Sequence, residues 1–461
     1  MEQAVTTTQD VIQGLRAIPR LAGKVSTEIT EREGHGRDDR FGEDTTPLAV
    51  VSATDVDDVR AVVDWARETG TAIIPYGVGT AEEGFLVATR PSVSLDLSGM
   101  DQVIEVRTGD FQAVVQPGIR REQLNEQLKP TGLFFPVDPG SNSSIGGMAS
   151  TNASGTATVG YGGMHRNVIA MKVVTADGRL LTLGRPVRKS SSAYDLKDLF
   201  IGASGTLGVI VELTLELYPI PQHTSVVRAF FPTMSDAAAA AYSVIAARLP
   251  VERLEGLDAN GIEAVNLANG TGFPVLPALW IGLSSAAADA RASDISHVEA
   301  ICARHGGIGV ESASDPREVE EMWEIRHRLY GAAKRYYPDR KFKLSDTAVP
   351  LSRLVEMVDF SKDEAARLGI DVMPAGHIGD GNVHVLAALK PGQEEIGQQY
   401  ADALVRKSLE LDGTATGEHG VGLAKRRYMR AEHGDAVDVM WAIKRALDPL
   451  NIMNPGKVLP D

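Results

Sequence analysis

The feature that most restricts the fold is a long run of small and polar residues. Residues 132–165, GLFFPVDPGSNSSIGGMASTNASGTATVGYGGMH, are dense in Gly, Ser, Asn and Thr. Such composition is usual for linkers and disordered segments, and a tether is therefore one interpretation. Here apolar FFPV stands near the start of the run, and the hairpin pattern NVIAMKVVTADGRLLTL follows it. We therefore expect a buried loop bed, which could hold a large flat ligand along a groove.

Strand and helix patterns alternate around that run. LAVVSA at 48–53 predicts a strand, and DVDDVRAVVDWARETG predicts a helix that starts near Thr54 and ends at Gly70. After the prolines at 219 and 221, an Ala-rich helix pattern marks a domain boundary. The patterns predict an α+β fold with a helical C-terminal segment, divided into residues 1–45, 46–222, 223–415 and 416–461.

Length, charge and cysteine content narrow the class of protein. A chain of 461 residues with 43% hydrophobic and 23% charged residues is typical of a globular protein with two or three domains. The net charge of −15 disfavours nucleic acid or an anionic membrane surface as the main partner. Cys302 is the sole cysteine, which excludes disulfides and cysteine-ligated iron–sulfur clusters within the chain.

The sequence contains no pattern that predicts export or membrane insertion. MEQAVTTTQDVIQGLRAIPR lacks the apolar core of a signal peptide. No stretch reaches the ~18 apolar residues of a transmembrane helix. We therefore expect a cytoplasmic protein, with peripheral contact to the inner membrane as an alternative.

A second glycine loop, GVGTAEEG at Gly77–Gly84, follows the strand pattern TAIIPYG. It fails the G-x-G-x-x-G pattern, because residue 82 is Glu and no helix pattern follows, so a Rossmann fold is disfavoured. Gly77 and Gly79 would still let backbone N–H groups converge on a pyrophosphate. The alternative is an ordinary tight turn.

Two histidines flank an Asp-Gly pair in GHIGDGNVH, residues 376–384. Asp-Gly predicts a two-residue type I′ hairpin turn at Asp380 and Gly381. His377 and His384 would then lie opposite each other, with Cβ atoms about 5 Å apart, which suits two ligands of one ion. A hydrogen-bonded loop histidine is the alternative for each of them.

The tail motif GEHG supplies two further groups, Glu418 and His419. Adjacent residues in a strand point to opposite sides, so one can bind a metal while the other faces elsewhere. His377, His384 and Glu418 form a His₂–carboxylate set suited to Zn²⁺ or Mn²⁺. His419 would then be a free base beside the ion.

Arg326 lies in the helix pattern EMWEIRHRLY. Two roles are open to Arg326 at this position. It is either a solvated or salt-bridged arginine, or it binds a substrate carboxylate through two hydrogen bonds. The periodicity does not choose between these roles.

Long motifs in a fixed order carry a family resemblance. PVDPGSNSSIGGMASTNASGTATVGYGGM, KSSSAYDLKDLFIGASGTLGVI, DTAVPLSRL, GHIGDGNVH, GEHGVG and NPGKV together resemble the FAD-linked oxidases of the vanillyl-alcohol oxidase and p-cresol methylhydroxylase fold. The branch that they resemble most is the cytochrome-type D-lactate dehydrogenases, with glycolate oxidase flavoprotein subunits and D-2-hydroxyglutarate dehydrogenases nearby. The resemblance spans roughly residues 45 to 459.

The resemblance implies a two-subdomain FAD-binding domain at 46–222, a substrate or cap domain at 223–415, and a C-terminal segment that completes the active site. FAD would be held without a covalent bond, because no histidine lies in the pyrophosphate loop. The implied FAD contacts are Pro75, Tyr76, Gly77, Val78, Gly79, Thr80, Ala81, Gly84, Pro139, Gly140, Ser143, Ser144, Gly146, Gly147, Asn152, Ser154, Gly155, Tyr161, Gly162, Gly208, Val209, Ile210 and Asn454.

Four residues depart from the family pattern. Val78 and Ala81 replace small and hydroxylic residues of the pyrophosphate loop, Phe85 stands where histidine is frequent, and Ser204 stands where glutamate is usual. Backbone donors survive these changes, so we expect FAD binding to persist with fewer side-chain hydrogen bonds.

The resemblance also implies a reaction. His377, His384 and Glu418 would hold a divalent metal, Zn or Mn. His419 would be the catalytic base. Arg326 would hold the substrate carboxylate, and Lys343 is a weaker candidate for the same role. The enzyme would oxidise a D-2-hydroxy acid, D-lactate favoured, by hydride transfer to flavin N5.

Electrons would pass to a quinone, a cytochrome or an electron-transfer or iron–sulfur protein, and a homodimer is one expected state. The alternatives are a glycolate oxidase or D-2-hydroxyglutarate dehydrogenase-type enzyme, alone or as a subunit of a complex, and a non-enzymatic flavin or metal binder.

Overall fold

The structure is a computed structural model that describes residues 8–38 and 45–461. The chain folds into two compact units. The first unit comprises Met1–Ala153, Gly163–Pro219 and His419–Asp461, and the second comprises Ser154–Gly162 and Ile220–Glu418. Helices and strands are mixed in both units, which confirms the predicted α+β class.

The α-helices occur in both units and at both ends of the described chain. In chain order they are α1 (Thr8–Ala17), α2 (Ile29–His35), α3 (Val56–Thr69), α4 (Arg121–Leu128), α5 (Ile145–Thr151), α6 (Thr158–Tyr161), α7 (Met164–Asn167), α8 (Lys197–Phe200), α9 (Met234–Ala246), α10 (Ala259–Asn269), α11 (Ala288–Arg304), α12 (Pro316–His327), α13 (Leu329–Tyr336), α14 (Leu354–Leu368), α15 (Glu394–Glu410), α16 (Met429–His433) and α17 (Ala436–Leu447). Short 3₁₀ helices cover Pro19–Leu21, Thr108–Asp110, Lys129–Thr131, Leu351–Arg353, Ile378–Asp380 and Arg426–Tyr428.

Two main sheets form the first unit. Its strands are β1 (Val25–Ser26), β2 (Val50–Ser52), β3 (Ala72–Tyr76), β4 (Ser92–Asp96), β5 (Val103–Arg107), β6 (Gln112–Val115), β7 (Leu133–Phe134), β8 (Val168–Thr175), β9 (Leu180–Gly184), β10 (Gly208–Glu216) and β11 (Tyr218–Pro219). One sheet has the order β1-β2-β4-β3, with β4 parallel to β2 and β3. The other has the antiparallel order β5-β6-β10-β8-β9, and β7 pairs with β11.

Helix α3 shows how the local sequence produces the first unit. Asp55 caps its N-terminus by accepting a hydrogen bond from the Asp58 N–H at 3.0 Å, one residue after the predicted start. Gly70 ends it in the left-handed conformation (φ 70°), which glycine adopts without strain. Val59 and Val63 on its apolar side are fully buried in a core that includes residues of both sheets.

One antiparallel sheet runs through the second unit. Its strands are β12 (His223–Phe230), β13 (Val251–Leu257), β14 (Ala278–Ser285), β15 (Ile308–Ala313), β16 (Lys341–Ala348), β17 (Asp371–Gly376) and β18 (Asn382–Leu389). They follow the order β15-β12-β14-β13-β17-β18-β16. Helices α9, α11, α14 and α15 share a core with one face, and α10, α12 and α13 share a core with the other.

The Gly- and Ser-rich run is built into the protein and is not a tether. Most of residues 132–165 are buried or half-buried, as the buried-bed interpretation expects. The expectation of an irregular loop is wrong in part, because α5, α6 and α7 lie within the run. Small residues let these short helices pack closely: a Cβ on Gly146 would lie 2.5 Å from Cβ of Pro117.

The prediction of a type I′ turn at Asp380 and Gly381 is wrong. Gly381 is left-handed (φ 75°) but Asp380 is not, and a 3₁₀ turn precedes Gly381. His384 therefore pairs with Ala375, two residues away from the predicted partner His377. A shift of two keeps His384 on the same face of the sheet and leaves His377 in the turn.

The GEHG segment also differs from the strand that the sequence suggested. Residues 417–419 form bends, so the alternation of Glu418 and His419 does not come from a strand. No helix in the described ranges 8–38 and 45–461 is both long and apolar enough to cross a membrane.

A buried ion pair stabilises the end of the first unit. Lys444 Nζ, on α17, donates to Asp448 Oδ2 at 2.5 Å and to the carbonyls of Thr206 and Met453. Asp448 in turn accepts from the N–H groups of Ile452 and Met453. Both charged side chains are almost fully buried.

Lys444→Met should lower the free energy of unfolding by about 3–5 kcal/mol, because it leaves the buried Asp448 carboxylate without its cation. Urea denaturation followed by circular dichroism measures this change. Arg430→Met removes an exposed cation that pairs with Asp438, and it should leave the unfolding midpoint unchanged. A loss for Lys444→Met no larger than that of the control would contradict this account.

Candidate functional site

Two imidazoles and one carboxylate converge in the second unit. Nε2 of His377 lies 3.3 Å from Oε1 of Glu418, and Nε2 of His384 lies 3.0 Å from the same oxygen. The two rings are nearly perpendicular, with centroids 5.2 Å apart. One potential ligand atom from each residue lies within 4.8 Å of the others, which is close enough for one metal ion.

A fully buried carboxylate, Glu255, supports this cluster from strand β13. Its Oε1 lies 2.6 Å from Nδ1 of His377, and its Oε2 accepts from Arg326 at 2.8 Å. Gly256 pairs with Gly376, so the strand register brings Glu255 next to His377. A carboxylate on Nδ1 directs Nε2 towards Glu418, the usual arrangement behind a metal-binding histidine.

The charges in the cluster stabilise one another. Burial opposes the charge on His377, but Glu255 and Glu418 outweigh it and hold the pKa of His377 well above its usual value. Burial likewise opposes ionisation of Glu418, yet hydrogen bonds with His377 and His384 hold the pKa of Glu418 well below its usual range. Burial raises the pKa of the nearby Asp380 to about 6. The cluster is therefore a low-dielectric site whose acid and base groups are strongly coupled.

Asp346 positions the backbone that carries Glu418. This buried carboxylate accepts from the N–H of Gly417 at 3.0 Å and from the N–H of Glu418 at 3.2 Å. It also accepts from Thr416 Oγ1 at 2.7 Å and from Asn382 Nδ2 at 2.8 Å. These bonds fix the bend in place of regular secondary structure.

The two other predicted catalytic residues of the second unit differ in their placement. Arg326 on α12 is salt-bridged to Glu255, which was one of its two predicted roles. Its Nε is buried and has no hydrogen-bond partner among the described residues. On strand β16, Asp346 pairs with His384 and therefore lies on the same face of the sheet. Lys343 is three residues before Asp346, so the alternation of side chains along the strand places Lys343 on the opposite face.

His419 belongs to the first unit and has an acidic neighbour there. Its Nδ1 lies 3.4 Å from Oε1 of Glu83, and Nζ of Lys425 lies 3.2 Å from the same oxygen. The Glu83 carbonyl also accepts from the N–H groups of Leu423 and Ala424. Glu83 thus fixes both the side chain of His419 and the segment that follows it.

The predicted pyrophosphate loop and the Ser-rich segment contact each other in the first unit. Pro75 and Tyr76 end β3, and the loop from 77 to 84 follows. Oγ1 of Thr80 lies 2.8 Å from Oγ of Ser143. A Cβ on Gly77 would lie 2.3 Å from Oγ of Ser144, so a side chain here would force the Ser144 hydroxyl to move.

Two buried polar atoms in the first unit are consistent with a bound FAD. Oγ of Ser144 and Oδ1 of Asn454 have no hydrogen-bond partner within the described part of the chain. Buried polar atoms nearly always have partners, so these two are available to a ligand. Nδ2 of Asn454 donates to the carbonyl of Ser204 at 2.8 Å, and Ser204 is left-handed (φ 55°). These residues fit the cofactor that the sequence implies.

The remaining predicted FAD contacts divide between the units. In the first unit, Gly146 and Gly147 lie on α5, Asn152 is its left-handed C-cap (φ 53°), Gly208, Val209 and Ile210 begin β10, and Val78, Gly79, Ala81, Gly84, Pro139 and Gly140 lie in loops. Ser154, Gly155, Tyr161 and Gly162 belong to the second unit, where Oγ of Ser154 donates to Oε2 of Glu418 at 3.3 Å.

Comparison with known proteins identifies the class as a flavin-linked oxidoreductase. Residues 47–184 match the family model described as an FAD binding domain, and residues 220–458 match the C-terminal domain of FAD linked oxidases. The chain belongs to the FAD-linked oxidases. The resemblance of the sequence to this family is thereby confirmed, and the protein is an enzyme that uses FAD.

Individual relatives cover nearly the whole chain. The probable mitochondrial D-lactate dehydrogenase of Danio rerio is 38% identical over 97% of this chain and 91% of its own length. The mitochondrial D-lactate dehydrogenase [cytochrome] of Arabidopsis thaliana is 37% identical over 98% of this chain and 80% of its own. A crystal structure of p-cresol methylhydroxylase with substrate bound has the same fold, with a TM-score of 0.79 at 17% identity over 98% of this chain and 97% of its own.

Sequence reasoning missed three carboxylates. Glu255 lies in the strand VERLEGL, where a polar residue suggests a solvent-facing position, yet it is fully buried. Asp346 begins the motif DTAVPLSRL, and Glu83 lies in GVGTAEEG, but neither motif indicated a partner. The signal that was available for Asp346 is its place in DTAVPLSRL, one of the motifs that carry the family resemblance.

Gly77→Ala should weaken FAD binding, because the new Cβ would overlap Ser144 Oγ and force this hydroxyl, a predicted FAD contact, out of its position. Overpacking of this kind costs about 1–3 kcal/mol, which corresponds to a roughly five- to 150-fold higher Kd. Titration of the apoprotein with FAD measures it. Gly109→Ala is the matched control, since nothing lies within 4 Å of the added Cβ. Equal FAD affinities for the two variants would contradict the predicted role of this loop.

Proposed function

We propose that this enzyme oxidises a D-2-hydroxy acid, with D-lactate favoured, to the 2-oxo acid. The observation that carries the proposal is the convergence of His377 and His384 on Glu418, with His419 as the next residue in the chain. The names of the Danio rerio and Arabidopsis thaliana relatives support D-lactate.

His419 is the proposed base for the hydroxyl proton. Conversion of a 2-hydroxy acid to a 2-oxo acid removes the hydroxyl proton and the hydrogen on Cα. The carboxylate of Glu83 near Nδ1 of His419 would stabilise the imidazolium that forms when Nε2 accepts the proton. Bound FAD supplies the acceptor for the Cα hydrogen and its electron pair.

A divalent ion, Zn²⁺ or Mn²⁺, is the proposed ligand of His377, His384 and Glu418. The fit rests on Glu255, which engages Nδ1 of His377 and directs Nε2 towards Glu418. An ion in this position would supply a Lewis acid that lowers the pKa of the substrate hydroxyl. In its absence, a protonated His377 between Glu255 and Glu418 would carry the positive charge.

Arg326 is the proposed anchor for the substrate carboxylate. One of its Nη atoms is committed to Glu255, but its buried Nε is available for a further bond. The same salt bridge would position Arg326 and His377 together. We assign no role to Lys343, because strand alternation places it on the opposite face of the sheet from His384.

The electron acceptor and the location of the enzyme complete the proposal. A cytochrome or a similar protein is the favoured acceptor, since the name of the Arabidopsis thaliana relative includes cytochrome. Both relatives are named as mitochondrial, whereas the sequence predicts a cytoplasmic protein, and this location stays a prediction. A homodimer stays a prediction as well.

D-Lactate should reduce the bound flavin under anaerobic conditions, and L-lactate should not. Stopped-flow mixing followed by loss of flavin absorbance gives the rate, with glycolate, D-2-hydroxyglutarate and longer D-2-hydroxy acids in the same panel. The His419→Asn variant should bind FAD normally, but D-lactate should reduce its flavin about 10²- to 10⁴-fold more slowly, because the base is lost. His433→Asn removes a histidine from α16 and serves as the matched control.

The panel also separates the alternatives. If glycolate or D-2-hydroxyglutarate reduces the flavin and D-lactate does not, the favoured substrate is wrong, but the proposed oxidation of a 2-hydroxy acid still stands. Absence of bleaching with every acid would refute the proposed function, and unchanged rates for His419→Asn would refute the proposed base.

His384→Ala should remove the bound divalent ion, measured by elemental analysis after gel filtration, while His433→Ala should retain it. Glu255→Gln should weaken metal binding about 10- to 100-fold, because His377 loses its supporting carboxylate. An ion must displace a proton from His377, whose pKa is raised, so the apparent metal affinity should rise with pH around neutrality. Full metal content in His384→Ala would contradict this ligand set.

A further inference from the structure

A partly open cavity of about 260 Å³ lies in the first unit, lined mainly by the C-terminal segment. Its lining includes Arg90, Arg426, Trp441, Asn454, Lys457 and Asp461. His419 and the proposed metal ligands are not among the lining residues. The volume lies just below the usual range of ligand pockets, so any occupant must be small.

The cations in this cavity have few acidic partners. Nη2 of Arg90 donates to the carbonyl of Asn451 at 2.6 Å, and Nζ of Lys457 donates to the carbonyl of Val87 at 2.5 Å. Lys457 is 3% exposed, and burial together with Arg426 lowers its pKa to about 8. Carbonyl oxygens satisfy hydrogen bonds but do not neutralise these charges.

A fourth cation, Lys444, also lines the cavity, but its charge is balanced. It pairs with the buried Asp448 and donates to two carbonyls, which uses its three donors. Lys444 is therefore a wall of the cavity and not a group available to a ligand.

Asp461 is the acidic residue of the lining. Its two carboxylate oxygens accept from Nη1 and Nη2 of Arg426 at 3.0 and 3.1 Å, the fork geometry with which arginine binds carboxylates and phosphates. The side chain of Asp461 is 90% exposed, so an external anion can displace it at small cost. Once Asp461 is displaced, Arg90, Arg426 and Lys457 face no acidic side chain in the lining.

One residue beside the cavity, Val458, has a strained backbone. Asn451 (φ 50°), Asn454 (φ 37°) and Val458 (φ 66°) are all left-handed, and for a β-branched residue such as Val458 this conformation is unusual. Strain of this kind concentrates at ligand-binding segments.

We propose that this cavity binds a small dianion, such as a phosphate group, through Arg90, Arg426 and Lys457, and that Asp461 occupies Arg426 when the dianion is absent. The guanidinium of Arg426 matches phosphate geometry, and Arg90 and Lys457 add positive charge beside it. The indole of Trp441 offers an apolar wall for the remainder of a phosphorylated molecule. Asn454 of the lining is also a predicted FAD contact, but the three cations proposed to bind the dianion are neither FAD contacts nor catalytic residues of the proposed oxidation.

Isothermal titration of the FAD-loaded enzyme with inorganic phosphate tests the proposal, in a buffer free of phosphate and sulfate. We expect one saturable site per chain, and we expect chloride at the same concentration to give no saturable heat. Arg426→Gln should raise the Kd for phosphate about tenfold or more, because it removes a charged two-point contact. Arg430→Gln, an exposed arginine outside the lining, should leave the Kd unchanged.

Asp461→Asn provides a test in the opposite direction. It frees Arg426 and should lower the Kd for phosphate about two- to fivefold, the range expected for an exposed ion pair. Absence of saturable binding, or equal Kd values for Arg426→Gln and Arg430→Gln, would overturn the site. An unchanged Kd in Asp461→Asn would overturn the competition by Asp461.

Discussion

The buried contact between Glu255 and His377 is the interaction on which the arrangement of the second unit's site depends. Burial of a charged carboxylate costs desolvation free energy unless the charge is paired. Glu255 is paired on both oxygens, with His377 on one and Arg326 on the other. Its pKa is lowered despite burial, because His377 and Arg326 favour the charged form. One side chain therefore sets the orientation of a histidine and of an arginine that periodicity alone could not place.

Two further carboxylates, Asp346 and Glu83, hold the chain around Glu418 and His419. Asp346 holds the N–H groups ahead of Glu418, and Glu83 lies beside the side chain of His419. Residues 417–419, which include Glu418 and His419, have no regular secondary structure, so side chains replace the hydrogen bonds that a helix or strand would supply. Each unit fixes its own end of this segment, Glu418 in the second unit and His419 in the first.

The sequence predicted the chemical groups better than their geometry. The α+β class followed from alternating patterns, and the flavin family followed from long ordered motifs. The hairpin register was wrong because Asp-Gly is compatible with several turns, and the choice depends on whether Asp380 takes a positive φ. Glu255 was missed because strand alternation does not distinguish a solvent-facing residue from a residue covered by a helix such as α12. Burial of a charge is decided by partners distant in sequence, here Arg326 and His377.

Helix α6 has a consequence for any exchange of segments between relatives. It belongs to the second unit although it lies inside the range of the FAD binding domain model, at residues 47–184. A Cβ on its Gly160 would lie 3.0 Å from Cα of Glu252 on β13, so the two elements fit without spare room. A chimera joined between the two family models would place a foreign β13 against this α6. Sequence boundaries between the models are therefore poor sites for recombination, and a workable exchange must carry residues 154–162 together with the sheet that they cover.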